Sequence, residues 1–155
     1  YKTLSDHPFL RLSTFSECLN QPDTVKKIPH LVTGSWVYGT LSTWIGDTDK
    51  NRAWEMLGDA KICYDRVVSG GALSDEQREQ ATIELAICEG SDWFWWFGDY
   101  NSTDIVSDFE QLYRSNLQNL YRVLDMEPPS YLFDSFTFGG GSPEMGGAMR
   151  TGNES

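Results

Sequence analysis

The sequence predicts an all-α fold: an antiparallel helical bundle of three long helices, with short helical turns and an aromatic loop. Two observations carry this. Three long segments repeat apolar residues every three or four positions, the period of a helix with one buried face. Each is bounded by helix start or stop residues, and alternating strand patterns are scarce. With 155 residues and 17.6 kDa, the chain is the size of one ordinary domain, and no internal repeat divides it.

Residues 1–23 form a link in which "FLRLSTF" alternates weakly, as a strand or an extended arm does. A helical turn is expected near Thr24–Lys27. A loop punctuated by Pro29, Gly34, Gly39 and Gly46 follows and carries Trp36, Tyr38 and Trp44. An irregular segment this aromatic needs a cover or a ligand for its rings.

The first long helix is expected from about Asp49 to Val68, burying Ala53, Met56, Leu57, Ala60, Tyr64 and Val67, with Ser69–Gly71 ending it. The second begins at Ser74, an N-cap with Gln77 three residues on in a capping-box pattern. It is expected to continue to about Gly98, with Ile83, Ala86, Ile87, Phe94 and Phe97 in the core. The third runs from Ser102 to about Met126 on Ile105, Phe109, Leu112, Leu117, Leu120, Tyr121 and Leu124, and Pro128 and Pro129 stop it. The bundle thus occupies residues 24–127. Residues 128–155 form an irregular, glycine-rich tail expected to be mobile.

Net charge is −11 and the sequence pI about 4.4. Nucleic acid needs a basic stripe and is excluded as a partner; an anionic membrane surface is disfavoured for the same reason. No apolar run is long enough to span a bilayer. Three widely spaced cysteines, an odd number without a CxxC pair, point to a reducing compartment and hence to the cytoplasm. The chain begins at Tyr1, so any targeting signal is expected upstream of it. Neutral ligands such as carbohydrates remain open.

No cofactor or metal is expected. Asp47, Asp49 and Asn51 alternate like a calcium loop, but Arg52 stands where the loop needs glycine and Gly58 where it needs a bidentate acid. A helix N-terminus with acids on its dipole explains them better. His7 and His30 are isolated, so zinc is not indicated. The tail's "GGGSPEMGG" lacks the lysine of a phosphate loop, and no nucleophile elbow occurs. Asn101 and Asn153 begin glycosylation-type triplets, which matter only in a secreted chain.

The stretch "ICEGSDWFWWFGDYNS", Ile87 to Ser102, concentrates three of the six tryptophans. On one continuous helix, Glu89, Asp92, Trp96 and Asp99 share a face, with Trp93 at its edge. Two readings stay open on spacing alone. The acids sit at a solvent rim and pair with arginine or lysine. Alternatively, they and the indoles bind a polyol: indole faces stack on the C–H face of a pyranose while carboxylates accept bonds from its hydroxyls.

Three blocks in order carry a resemblance: "GSWVYGTLSTWIGDTDKNRAWEML" from Gly34, "CEGSDWFWWFGD" from Cys88, and "DFEQLYRSNLQNLYRVL" from Asp108. Together they resemble the C-terminal helical region of glycoside hydrolase family 57, the α-amylase, amylopullulanase and glucan-branching group. "YKTLSDHPFLRLSTFSECL" is similar to that family's link between barrel and bundle, so the resemblance spans about Tyr1 to Pro129. It implies a bundle packed on an incomplete (β/α)7 barrel of the same or a neighbouring polypeptide. The parent enzyme would be a retaining enzyme acting on α-glucan or maltooligosaccharide.

The family's catalytic Glu and Asp lie on barrel strands, and no block here matches them; the chain is expected to start after them. Retention needs two carboxyls about 5–5.5 Å apart across a scissile bond. Neighbours on one helix face cannot flank it, so no catalytic residue is assigned. The resemblance implies substrate-binding roles for Glu89, Ser91, Asp92, Trp93 and Trp96, and for Trp36 and Trp44 in the preceding loop. Cys88 stands where the family often has Ala, and "GDYNS" where "GDDHS" is common, which leaves Tyr100 and Asn101 without a role. A stand-alone glucan-binding module and a structural domain docking on a catalytic barrel are the alternatives.

Overall fold

The computed structural model describes residues 1–21, 26–98 and 101–137, and among these it contains helices and no strand. The chain divides into two units, Tyr1–Thr33 and Gly34–Ser155. The first contains two short helices, α1 (Lys2–Ser5) and α2 (Phe15–Leu19). Thr14 caps α2 with a full capping box, its Oγ1 accepting from the Glu17 amide at 3.3 Å while Glu17 accepts from the Thr14 amide at 2.7 Å. The strand or extended arm expected over Phe9–Phe15 is not a strand: Leu10–Thr14 carries no regular element and Phe15 begins α2. None of the unit's described residues is buried. The expected turn near Thr24–Lys27 falls largely outside the described residues.

In the second unit, α3 (Thr48–Gly70), α4 (Asp75–Cys88) and α6 (Thr103–Val123) are the long helices, and α5 (Asp92–Trp96) is one short turn. Asp47 caps α3 by accepting from the Asp49 amide at 2.9 Å, so the alternating acids serve a helix start, as the dipole reading expects. Gly71, at φ 69°, ends α3 in the left-handed conformation that glycine adopts without strain. Its buried stripe is Ala53, Met56, Leu57 and Ala60, with Tyr64 and Val67 packed at the edge. Ser74 and Gln77 form the expected capping box at the start of α4, with bonds of 3.1 and 3.0 Å.

Three expectations are corrected. The second long helix does not reach Gly98; it ends at Cys88, with Glu89 as its C-cap, and the chain restarts as α5. Its core phase also differs. Ala81, Leu85 and Cys88 are buried, whereas Ile83, Ala86 and Ile87 are exposed. In α6 the buried stripe is Val106, Glu110, Tyr113, Leu117 and Leu120, with Leu124 just beyond; Ile105 and Leu112 face solvent. Finally, the segment after Pro129 is anchored as far as it is described. A 3₁₀ turn, Ser130–Phe133, buries Leu132, and Phe136 joins the same core. Residues 138–155 lie outside the described part.

Tyr113 links two of the long helices: buried at the centre, it donates its hydroxyl to the Ala53 carbonyl at 2.9 Å. Burial pushes its phenol far above the usual tyrosine range. Cys88 behaves likewise, its thiol pushed up to about 12 by burial and then by Glu84 and Glu89. It is an inert core thiol rather than a nucleophile. Cys63 and Cys88 are free thiols. No helix among the described residues is long and apolar enough to cross a membrane.

Candidate functional site: an aromatic surface

The loop between Gly34 and Asp47 contains no regular helix, yet it is tightly cross-tied. The Ser35 hydroxyl accepts from the Val37 amide at 3.1 Å and contacts the Val37 carbonyl at 2.9 Å and the Thr40 carbonyl. The loop folds back so closely that a Cβ on Gly34 would lie 2.5 Å from the Gly39 carbonyl oxygen. Tyr38, half exposed, holds φ at 53°, a left-handed conformation unusual for a bulky residue. Such strain persists only where the surroundings over-determine it, and it concentrates at functional sites. Gly34→Ala should therefore force the loop backbone apart and lower stability by about 1–3 kcal/mol, measured by urea unfolding; an unchanged midpoint would refute this tight approach.

At its far end the loop joins α3. Gly46 donates its amide to Asn51 Oδ1 at 2.9 Å, and the fully buried Lys50 donates its ammonium to the Thr43 carbonyl. Burial lowers the Lys50 amine to about 8, against the opposing pull of Asp47. An amine lowered on folding favours the folded state most where it is neutral, so this group adds stability as pH rises from about 8 towards its ordinary 10.5.

The loop and α5 meet through their rings. Trp36 stacks on Trp95 with centroids 5.9 Å apart and planes 21° from parallel, and Trp44 meets Trp95 edge-on at 5.7 Å. Trp54 of α3 donates its indole N–H to the Trp44 carbonyl at 2.9 Å and stacks on Phe94 of α5 at 3.7 Å. Two sequence blocks some fifty residues apart thus build one aromatic surface. Trp95, to which neither spacing nor resemblance assigned a role, contacts both loop tryptophans. The Trp44 indole N–H is buried without a hydrogen-bond partner among the described residues.

Trp93 and Trp96 are placed differently. The Trp93 indole donates to the Ile87 carbonyl at 2.7 Å, satisfying the frayed end of α4, and its ring leans on Tyr113 and Phe109. A Cβ on Gly90 would crowd this latch, at 3.2 Å from the Ile87 oxygen and 3.4 Å from the Trp93 nitrogen, which is why the chain breaks at a glycine. Trp96 stacks on Phe109 at 4.9 Å. Asn101 donates its amide to the Trp96 carbonyl at 2.9 Å, a structural use that a glycan there would displace.

Glu89, Ser91 and Asp92 are exposed. The single helix face that would have gathered them with the tryptophans does not exist, because Glu89 caps α4 and Asp92 opens α5. Neither acid makes an ion pair within 4.0 Å among the described residues, but the Lys61 amine, raised chiefly by its hydrogen bond to Asp65, is raised further by the nearby charge of Glu89. Asp99 lies outside the described residues, as does Asn153. No cluster of three metal-ligating side chains occurs among the described residues. An open cavity of about 300 Å³ lies between the end of α6 and the 3₁₀ turn, lined by Arg122, Asp125 and Phe133 among others, and none of the sequence-selected residues lines it.

What the fold and this surface define is an all-α chain with an aromatic wall and three exposed polar groups beside its break. Comparison with family models, with curated proteins and with solved structures found no match.

Proposed function

We propose that the chain is the helical domain of a family 57-like retaining α-glucan hydrolase or transferase. In this reading it forms one wall of the glucan cleft and lacks the catalytic Glu/Asp pair. The observation that carries the reading is the convergence of two resemblance-bearing blocks. Trp36 and Trp44 from the first and Trp95 from the second share one ring cluster within a single unit. Glu89, Ser91 and Asp92 are exposed, free to accept or donate bonds to sugar hydroxyls, and Trp93 and Trp96, which pack against Phe109 and Tyr113, are proposed as further sugar contacts. The free thiols of Cys63 and Cys88 support a reducing compartment, the cytoplasm.

The isolated chain is then expected to bind maltoheptaose weakly, with a change in tryptophan emission, and to release no sugar from maltooligosaccharides. Robust turnover that survives alanine at both Glu89 and Asp92 would contradict the wall assignment, and a silent titration at millimolar sugar would remove the glucan ligand.

One observation favours a second reading, an interaction domain that docks on a catalytic (β/α)7 barrel. In Tyr1–Thr33, Phe9 and Phe15 are 89% and 92% exposed, and Leu31 and Val32 are exposed as well. A short unit that leaves this many large apolar groups in water suits an interaction surface. Self-association of the isolated chain in sedimentation is expected if so; a strictly monomeric chain counts against it.

A further inference from the structure

We propose that Trp95 is a positioning residue: it fixes the plane of Trp36 and so decides whether this surface can stack a sugar ring. The inference rests on the glucan reading and assigns its stacking platform.

The available ring faces single out Trp36. Trp96 has one face against Phe109, and Trp93 is held by its own N–H and by Tyr113. Trp36 remains 68% exposed, and the ring behind it is Trp95. Trp36 sits on a loop, whereas Trp95 sits on α5 beside the fully buried Phe94. The loop therefore presents a ring whose orientation is set by a residue of α5, the helix that Phe94 anchors in the core. Trp44, edge-on to Trp95, supports it from a second direction. The Ser35 bonds, the Gly34–Gly39 approach and the strained Tyr38 fix the loop in advance, which lowers the ordering cost of binding. An exposed indole face is apolar with a negative π surface and suits the C–H face of a neutral pyranose. A chain of net charge −11 disfavours anionic ring ligands in the same place.

The test is calorimetric titration of maltoheptaose into the whole chain, with indole N–H resonances recorded for each variant. Trp36→Ala and Trp95→Ala should each weaken binding about tenfold. Combining them should cost no more than either alone, because Trp95 acts through Trp36. Trp95→Phe, which keeps a ring behind Trp36, should bind within about threefold of the parent. In Trp95→Ala the Trp36 indole signal should move while that of Trp54 stays. If Trp95→Ala does not fold, Trp95→Leu takes its place. Parent-like affinity in the Trp95 variant, or losses that add fully in the double variant, would overturn the positioning role and leave the glucan reading standing. Absence of binding by the parent chain would overturn both.

Discussion

Replacing Glu110 with alanine lowers the stability of the chain by about 3–5 kcal/mol, the usual cost of removing one partner of a buried, hydrogen-bonded pair. Glu110 is 2% exposed and lies on the buried stripe of α6. Its carboxylate accepts from Arg114 Nε at 2.8 Å, Ser135 Oγ at 2.6 Å, the Phe136 amide at 3.0 Å and Thr137 Oγ1 at 2.7 Å. Arg114 and Gln118 add bonds to the Leu132 carbonyl. Alanine would leave a guanidinium, two hydroxyls and an amide without their acceptor and would free the segment that buries Leu132 and Phe136. Urea unfolding measures the loss; a change below about 1 kcal/mol would show that water replaces the carboxylate.

The same site predicts an acid limb. Burial alone pushes the Glu110 carboxyl up, but the bonds from Ser135, Thr137 and Phe136, with the charge of Arg114, outweigh it and hold the group below its usual 4.5. A carboxyl depressed on folding contributes its full stability above the unfolded value of 4.5 and loses it as pH falls through the lower folded value. The stability gap between the parent and Glu110→Gln should therefore narrow below about pH 4.5.

Phe94→Ala is expected to cost about 3–5 kcal/mol, the range for emptying an aromatic core position. Phe94 is fully buried, stacks on Trp54 with planes 5° apart, and meets Phe97 and Tyr113 edge-on at 6.3 and 5.9 Å. It is the anchor by which the five-residue α5 reaches the core, so its loss should also displace Trp95 and redden Trp54 emission. Phe94→Leu, which refills part of the volume, should recover about half of the loss. Equal losses in both variants would mean that the ring stack, rather than volume, holds α5.

The positions of α3, of the α4 capping box and of the aromatic loop were legible because their signals are local. Asp47 and Ser74 begin helices through their own side chains, and Gly71 ends one through its own φ. The break at Gly90 was not, because a helical wheel drawn across Ile87–Asp99 still closes although Glu89–Asp92 is polar throughout. Its cause is a latch between Trp93 and a carbonyl six residues back, which no periodicity reports. In α6 Leu117, Leu120, Tyr121 and Leu124 lie in the core as expected and Phe109 packs against it, but Ile105 and Leu112 face solvent, because the first half of the stripe is Val106, Glu110 and Tyr113 and so contains a glutamate. A charged residue at a core position hides the stripe, and three of the four hydrogen bonds to its carboxylate come from Ser135, Phe136 and Thr137, far along the chain. The same glutamate explains why Ser135–Thr137 is anchored although the glycine-rich composition suggested a mobile tail. In α4 the core side is made of Ala81, Leu85 and Cys88, and the larger Ile83 and Ile87 drew the prediction to the wrong face.

The candidate site divides the same way. The residue types were visible, but which rings present a free face depends on partners far along the chain. Phe109 occupies Trp96 and Trp95 backs Trp36, pairings set by tertiary contact rather than by spacing. The acids Glu89 and Asp92 were assigned to one helix face and lie instead on either side of a chain break.

The proposed role of this aromatic surface as a glucan-binding wall can be read from the six tryptophan indole N–H signals during a maltoheptaose titration of the whole chain. Saturable shifts are expected at Trp36, Trp95 and Trp44, with Trp54 unmoved. Signals that stay in place up to millimolar sugar would contradict it.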